Sequence, residues 1–171
     1  MTRRFGADPA PGGLCLVQDL ANSAHNRAAG LGDGLADRRA ARGWLADALV
    51  TWAAQTGQAA PRLTLVEPDL APLRQFRDRL RAWLGRRTDD FTVPARAVRV
   101  ALRAGRPTYA PQGDGADGVV ALVQAELLLA VHTGKFSRLK TCANADCAAV
   151  FYDTSADAGR VWHDDTSCGP Q

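Results

Sequence analysis

The chain has 171 residues, of which 46% are hydrophobic and 23% are charged, and its formal net charge is +3. This length suits one ordinary domain, alone or with a small appendage, and the composition excludes global disorder. No early segment has the apolar core of a signal peptide, so we expect a cytoplasmic protein without a membrane anchor. In that compartment the four cysteines indicate metal or redox chemistry rather than disulfides.

The N-terminal third contains two apolar segments separated by a glycine-rich loop. Residues 14–29 are too short and too mixed to be assigned to helix or strand. Residues 38–55 have apolar residues at helical spacing, with Asp37 as the N-cap and Gly57 as the stop, and we predict a helix there.

A third helix is predicted to start after Asp69, with Pro72 tolerated in its first turn. One face of this helix is apolar and the other is rich in arginine. The apolar stripe consists of Leu70, Leu73, Phe76, Leu80, Trp83 and Leu84, and the basic residues are Arg74, Arg77, Arg79, Arg81, Arg86 and Arg87.

The next segments predict a hairpin followed by a core helix. Residues 97–103 alternate with period two, and Ala104-Gly105 can turn the chain back into residues 106–110. A strongly apolar helix, capped by Asp117 and running to Val131, is expected to lie at the centre of the core.

Near the C-terminus, two pairs of soft ligands have the same internal spacing. The pairs are Cys142-x4-Cys147 and His163-x4-Cys168, and fifteen residues separate them. Two tight loops can bring four such ligands to one ion, which predicts a structural tetrahedral zinc site without an open position. Ordinary buried cysteines with a surface histidine remain an alternative, as does a sensor that releases zinc on oxidation.

Other features of this region complete the predicted module. Residues 150–152 and 160–162 suit the two strands of a short hairpin, with residues 153–159 as its turn. Cys15 lies far from the other three cysteines in sequence and is expected in the core rather than at the metal.

These residues carry a family resemblance. The C-terminal segment resembles the zinc finger of CGNR-type proteins, and the N-terminal part resembles the ABATE domain of the same family. The matching residues are Cys142, Cys147, Phe151, Tyr152, Asp153, Ser155, Trp162, Cys168 and Gly169 in the finger, and Leu14-Cys15-Leu16, Asn22, Leu35-Ala36-Asp37 and Trp44-Leu45 before it. The resemblance implies a bacterial, stress-induced transcription regulator that holds Zn²⁺.

The fold expected from these features is α+β and mostly helical. Residues 1–134 would form an ABATE-like helical domain with a β-hairpin, and residues 135–171 a small CGNR-like zinc finger. His163 stands where the family has cysteine, which gives a Cys3His site. The chain reads Cys168-Gly169-Pro170-Gln171 where the family continues into a basic tail, so we expect few phosphate contacts from this finger.

Two kinds of function follow. In the first, a regulator-like protein contacts nucleic acid or a transcription partner, with Arg74, Arg77, Arg81 and Arg87 as the candidate phosphate ligands; the alternative is that these arginines form a solvated helix face. A homo-oligomer is compatible with this function.

In the second, the zinc is purely structural and the protein binds a small molecule or acts as a catalyst. Glu126 is the candidate pocket residue, because it is the one carboxylate on an otherwise apolar stretch and would need a partner if buried. The alternative is an ordinary surface or ion-paired glutamate. No catalytic motif is present, which favours a protein that is not an enzyme.

Overall fold

A computed structural model describes residues 2–27, 29–86 and 91–169. In these ranges the chain forms five α-helices and two small antiparallel sheets, which confirms the mostly helical α+β class. The elements are α1 (Leu14–Ala21), α2 (Arg38–Thr56), α3 (Glu67–Arg86), β1 (Val98–Arg103), β2 (Arg106–Pro111), α4 (Gly115–His132), β3 (Leu139–Thr141), β4 (Val150–Tyr152) and α5 (Asp165–Cys168).

The unassigned apolar segment begins with helix α1, which is buried along nearly its whole length. It contacts α2, α3 and α4, so most of its surface is covered by other helices. Cys15 is 2% exposed on this helix, which confirms that it belongs to the core. Because α1 is buried on most sides, its apolar residues do not form a one-sided helical stripe that the sequence would reveal.

Helix α2 begins and ends close to where the sequence predicts. The Asp37 side chain accepts a hydrogen bond from the Ala40 amide at 2.8 Å, as an N-cap does. Gly57 follows the helix with φ of +67°, a conformation that glycine adopts without steric cost. The face that carries Trp44 and Trp52 is buried.

The N-terminal ends of α3 and α4 correct the predicted start of α3 and the predicted cap of α4. Helix α3 begins at Glu67, and Asp69 instead accepts hydrogen bonds from the amides of Val66 and, in α4, Ala116. Helix α4 is capped by Asp114, not by Asp117. Asp117 lies inside the helix and pairs with Arg96. The predicted start of α3 and the predicted cap of α4 were wrong because an aspartate near a helix start can either cap the helix or bond to another segment, and the sequence does not distinguish the two.

The predicted hairpin is present as β1 and β2. The strands pair antiparallel from Val98 opposite Pro111 to Arg103 opposite Arg106. Its turn residues, Ala104 and Gly105, have φ of 49° and 74°. Two consecutive positive φ values fit the two-residue turns that match the twist of a hairpin.

Helix α4 is the central helix of the core. Its 18 residues have a mean hydropathy of 1.4, so by length and composition it could span a membrane, yet 61% of them are buried inside the protein. Val119, Leu122 and Val123 are each at most 1% exposed. The apolar character of α4 is thus used for packing against the other elements.

The C-terminal hairpin differs from the prediction. Strand β4 pairs with β3, with Lys140 opposite Phe151, and not with residues 160–162. The latter segment is not a strand, although Val161 accepts one hydrogen bond from the Ala143 amide at 2.8 Å. The reason is local, because Asp153 bonds the Arg160 amide at 2.9 Å and holds residues 153–160 in a loop.

Packing is continuous between the helices and the C-terminal segment. Leu139 and Val150, from β3 and β4, belong to the same hydrophobic core as the residues of α1 to α4. Conversely, Phe5 from the N-terminal segment packs into the cluster formed by the C-terminal cysteines. The domain boundary between residues 134 and 135 stays a prediction, and apolar contacts cross it from both sides.

Candidate metal centre

Two short loops and one helix place the four predicted ligands. Cys142 follows β3, and its amide donates to the Ala149 carbonyl at 2.8 Å. Cys147 lies in the loop between β3 and β4, whose turn is closed by Asn144. His163 precedes α5, and Cys168 is the last residue of that helix, which Asp164 caps.

The ligand atoms converge as the spacing predicts. The three sulfurs and one ring nitrogen all lie within 4.8 Å of one another. His163 Nδ1 is 3.4 Å from both Cys147 Sγ and Cys168 Sγ. A tetrahedral zinc with ordinary Zn–S and Zn–N bonds places sulfur and nitrogen about 3.5 Å apart. The donor set and these distances therefore fit zinc.

The surroundings of His163 orient its ring. The Nε2 atom lies 3.0 Å from the carbonyl oxygen of Phe5, and Nε2–H can donate to that oxygen when Nδ1 binds the metal. The Phe5 ring meets the imidazole edge-on, with centroids 6.5 Å apart. Ala149 and Trp162 add apolar cover around the sulfurs. Four ligands in an apolar shell describe a structural site rather than a catalytic one.

Burial also affects the Cys147 thiol. Desolvation, reinforced by the nearby Cys168 and Cys142 thiols, raises the pKa of Cys147 to about 12. Metal binding needs the thiolate, so a bound cation must offset this cost of ionisation.

Polar side chains from the segment after α1 and from α3 hold the cysteine loop in place. Asn22 is 2% exposed; it accepts from the Val150 amide and donates to the Val150 carbonyl, each at 2.8 Å. Asn26 donates to the Cys147 carbonyl. Arg81, on α3, donates to the Ala148 carbonyl at 3.3 Å. The metal loop is therefore bonded to the helical part of the protein through its own backbone.

A buried carboxylate organises the loop that follows β4. Asp153 is fully buried and accepts from Lys140 Nζ at 2.8 Å, from Ser155 and from the Arg160 amide. Burial alone would raise the pKa of Asp153, but these hydrogen bonds outweigh it and lower the pKa well below its usual range.

Three basic side chains of the C-terminal segment bond within the protein, namely those of Arg138, Lys140 and Arg160. Lys140 also donates to the Arg160 carbonyl at 2.9 Å. Arg160 donates to the His163 carbonyl at 2.5 Å, and its guanidinium lies 5.5 Å from the centre of the Phe151 ring. Arg138 donates to the carbonyls of Asp153 and Ser155. By contrast, four acidic residues are exposed here, namely Asp146, Asp157, Asp164 and Asp165.

Three of the four candidate phosphate ligands on α3 bond to other parts of the protein. Arg77 is 4% exposed and pairs with Asp33 at 2.6 Å and Asp78 at 2.9 Å. Arg74 donates to backbone carbonyls in the loop before α2, and Arg81 to carbonyls at the end of α1 and in the cysteine loop. Arg87 lies outside the described residues. Nucleic-acid binding by these arginines stays a prediction, and their observed contacts are structural.

Glu126 is 2% exposed, and among the described residues no arginine pairs with it. Its Oε1 atom accepts from Trp52 Nε1 at 2.6 Å and from the Tyr109 hydroxyl at 2.5 Å. Burial raises the pKa of Glu126 above its usual value, although both hydrogen bonds act in the opposite direction. Glu126 also lines a cavity of about 320 Å³.

Sequence reasoning did not single out several residues of interest. Phe5 and Asn26 reach the metal loop from more than 120 positions away, a proximity that no local pattern reveals. The β1–β2 hairpin exposes Arg99, Arg103 and Arg106, and these make no ion pair in the described part of the chain. The sequence did contain a signal for this surface, because Arg99 and Arg103 are an even number of residues apart in a predicted strand and so lie on the same face.

Comparison with known proteins agrees with the geometry. Residues 138–171 match the family model of the CGNR zinc finger. No curated protein matches the chain. The matched segment contains all four converging ligands. Residues 138–171 are therefore similar to the CGNR zinc finger, and their Cys3His cluster is a candidate zinc site.

Proposed function

We propose that the protein is a regulator-like binding protein rather than an enzyme, in which Zn²⁺ braces the fold. Its contacts with nucleic acid or a transcription partner would come from the helical part and the β1–β2 hairpin. The observation that carries this proposal is the distribution of cations. Lys140 and Arg160 of the finger bond to the protein itself, whereas the arginines of the hairpin are exposed.

The hairpin has a suitable shape for such contacts. Arg99 and Arg103 lie on one face of β1, and Arg106 of β2 stands directly opposite Arg103. Three guanidinium groups on a two-stranded ribbon can contact phosphates without disturbing the core. The acidic surface of the finger would repel the same phosphates.

Charge reversal on the hairpin tests the proposal. We expect weak binding to duplex DNA at low salt, with log K falling by about 2.7 per tenfold increase in salt if all three hairpin arginines contact phosphate. The double variant Arg99→Glu/Arg103→Glu should abolish this binding in mobility shifts across a salt series.

A matched control is available on α2. Arg38 and Arg42 are also exposed, and Arg38→Glu/Arg42→Glu changes the net charge by the same amount. If both double variants weaken binding equally, net charge alone explains the effect and the hairpin is not the contact. If Asp157→Lys in the finger strengthens DNA binding far more than Arg99→Glu/Arg103→Glu in the hairpin weakens it, the finger contacts the DNA and the proposal is wrong.

A further inference from the structure

Glu126 lies where two structural features meet, an aromatic pair on one side and the start of α1 on the other. Trp52 and Tyr109 pack edge-to-face with centroids 5.9 Å apart, and both donate to Oε1. The second oxygen, Oε2, lies against Gly13. A Cβ built at Gly13 would come within 1.8 Å of Oε2, so only glycine allows this approach.

The cavity beside Glu126 has a mainly apolar wall with a few polar groups, among them the Glu126 carboxylate. Its walls include Gly13 and Glu126, and the apolar side chains of Leu14 and Leu129. The hydroxyl of Thr133, also in the wall, donates to the Leu129 carbonyl at 2.7 Å, which leaves its oxygen free to accept. Lys135 is exposed at the rim, where its ammonium group can remain in water.

The charge of the Glu126 carboxylate indicates which class of ligand the cavity would bind. Both groups that donate to Glu126 are neutral, and a buried carboxylate is stabilised best by a cation that also donates hydrogen bonds. A volume of about 320 Å³ lies at the small end of the range for ligand sites. We propose that this cavity binds a small organic ammonium compound, whose N–H groups donate to Oε2 of Glu126 and whose hydrocarbon part packs on Leu14 and Leu129.

Nuclear magnetic resonance of the zinc-loaded full chain can test this directly, because the Trp52 indole N–H reports on the Glu126 carboxylate. Butylammonium chloride is the probe, with potassium chloride as the ionic-strength control and 1-butanol as the neutral analogue of the same length. We expect a saturable shift of the Trp52 indole signal with Kd of about 1–10 mM for butylammonium. The Trp44 indole, outside this cavity, should not respond.

Three variants sharpen the result. Glu126→Gln keeps the shape and an acceptor for both donors, and it should weaken butylammonium binding at least tenfold. Leu129→Trp should fill the cavity from a position that is 44% exposed, and so abolish binding without disturbing the core. Asp47→Asn removes an exposed carboxylate elsewhere and should leave binding unchanged.

The proposal is overturned if butylammonium produces no saturable shift at Trp52. It is equally overturned if 1-butanol shifts the signal as strongly, or if Glu126→Gln binds butylammonium as tightly as the unsubstituted protein.

Discussion

At the scale of single residues, the protein depends on buried polar groups that bond across long sequence distances. Glu126 bonds to Trp52 of α2 and Tyr109 of β2, and so connects three elements. Asn22 fixes both the amide and the carbonyl of Val150. Such groups are stabilising only while every partner is present, because an unpaired buried polar atom is costly.

Glu126 predicts a particular pH dependence of stability. Its folded pKa is raised above the unfolded value of about 4.3, so the folded protein binds the extra proton and stability falls as pH rises through the folded pKa. Glu126→Gln removes this loss. We expect the stability of the variant relative to the unsubstituted protein to increase as the pH is raised from 5 to 8.

Urea unfolding of the zinc-loaded protein at both pH values measures the difference. Cys15 and Tyr109 do not titrate in this window, since burial raises the pKa of Cys15 to about 12 and that of Tyr109 above its usual value. A variant that loses stability equally at pH 5 and pH 8 would show that Glu126 contributes through its hydrogen bonds alone.

Asn22 predicts a large loss of stability on truncation. Asn22→Ala leaves the buried Val150 amide without its partner and opens a space at the junction between α1 and β4. We expect a loss of about 2–4 kcal/mol in the free energy of unfolding, measured by urea denaturation. As a control, Gln124→Ala removes an exposed amide that bonds the Pro94 carbonyl and should cost less than about 0.5 kcal/mol. Similar losses for both variants would contradict the bracing role of Asn22.

At the scale of elements, the metal ligands are carried by segments too short to fold alone. Strands β3 and β4 have three residues each and α5 has four. Elements of this size have few internal hydrogen bonds, and the metal and the adjoining core must hold them.

The four-ligand assignment predicts the metal content. Protein purified without added metal should contain about one equivalent of zinc, and Cys147→Ser should reduce this strongly. Cys15→Ala is the matched control, because Cys15 is equally buried but lies outside the cluster, and its metal content should not change. Elemental analysis of the two variants and of the unsubstituted protein measures the zinc content of each. Full zinc content in Cys147→Ser would show that this thiol is not a ligand.

At the scale of the whole molecule, the C-terminal segment is built into the fold. Leu139 and Val150 pack in the main core, Phe5 packs beside the cysteines, and Arg81 connects α1 to the cysteine loop. These contacts favour cooperative behaviour of the finger and the helices, whichever residue is taken as the boundary between them.

Metal removal should therefore affect the entire chain. We expect chelation to lower Tm while thermal unfolding, followed by helical circular dichroism and by tryptophan fluorescence, remains one transition. Asn22→Ala combined with chelation should separate the two signals, since it removes a bond between the helices and the finger. Two transitions in the unsubstituted protein on chelation would show instead that residues 1–134 fold independently.

The convergence of the four candidate metal ligands, the mainly helical α+β class, the limits of α2 and the β1–β2 hairpin were all predictable from the sequence. Each depends on local information: the Cys-x4-Cys and His-x4-Cys spacing, the Asp37 cap and the Ala104-Gly105 turn act within a few residues of one another. The tertiary structure alone decided that β4 pairs with β3, that Asp114 rather than Asp117 caps α4, that Arg77 is buried against Asp33, and that Glu126 bonds Trp52 and Tyr109. In each of these cases several partners were compatible with the local pattern, and the choice among them was made by burial and by hydrogen bonds between segments far apart in the chain.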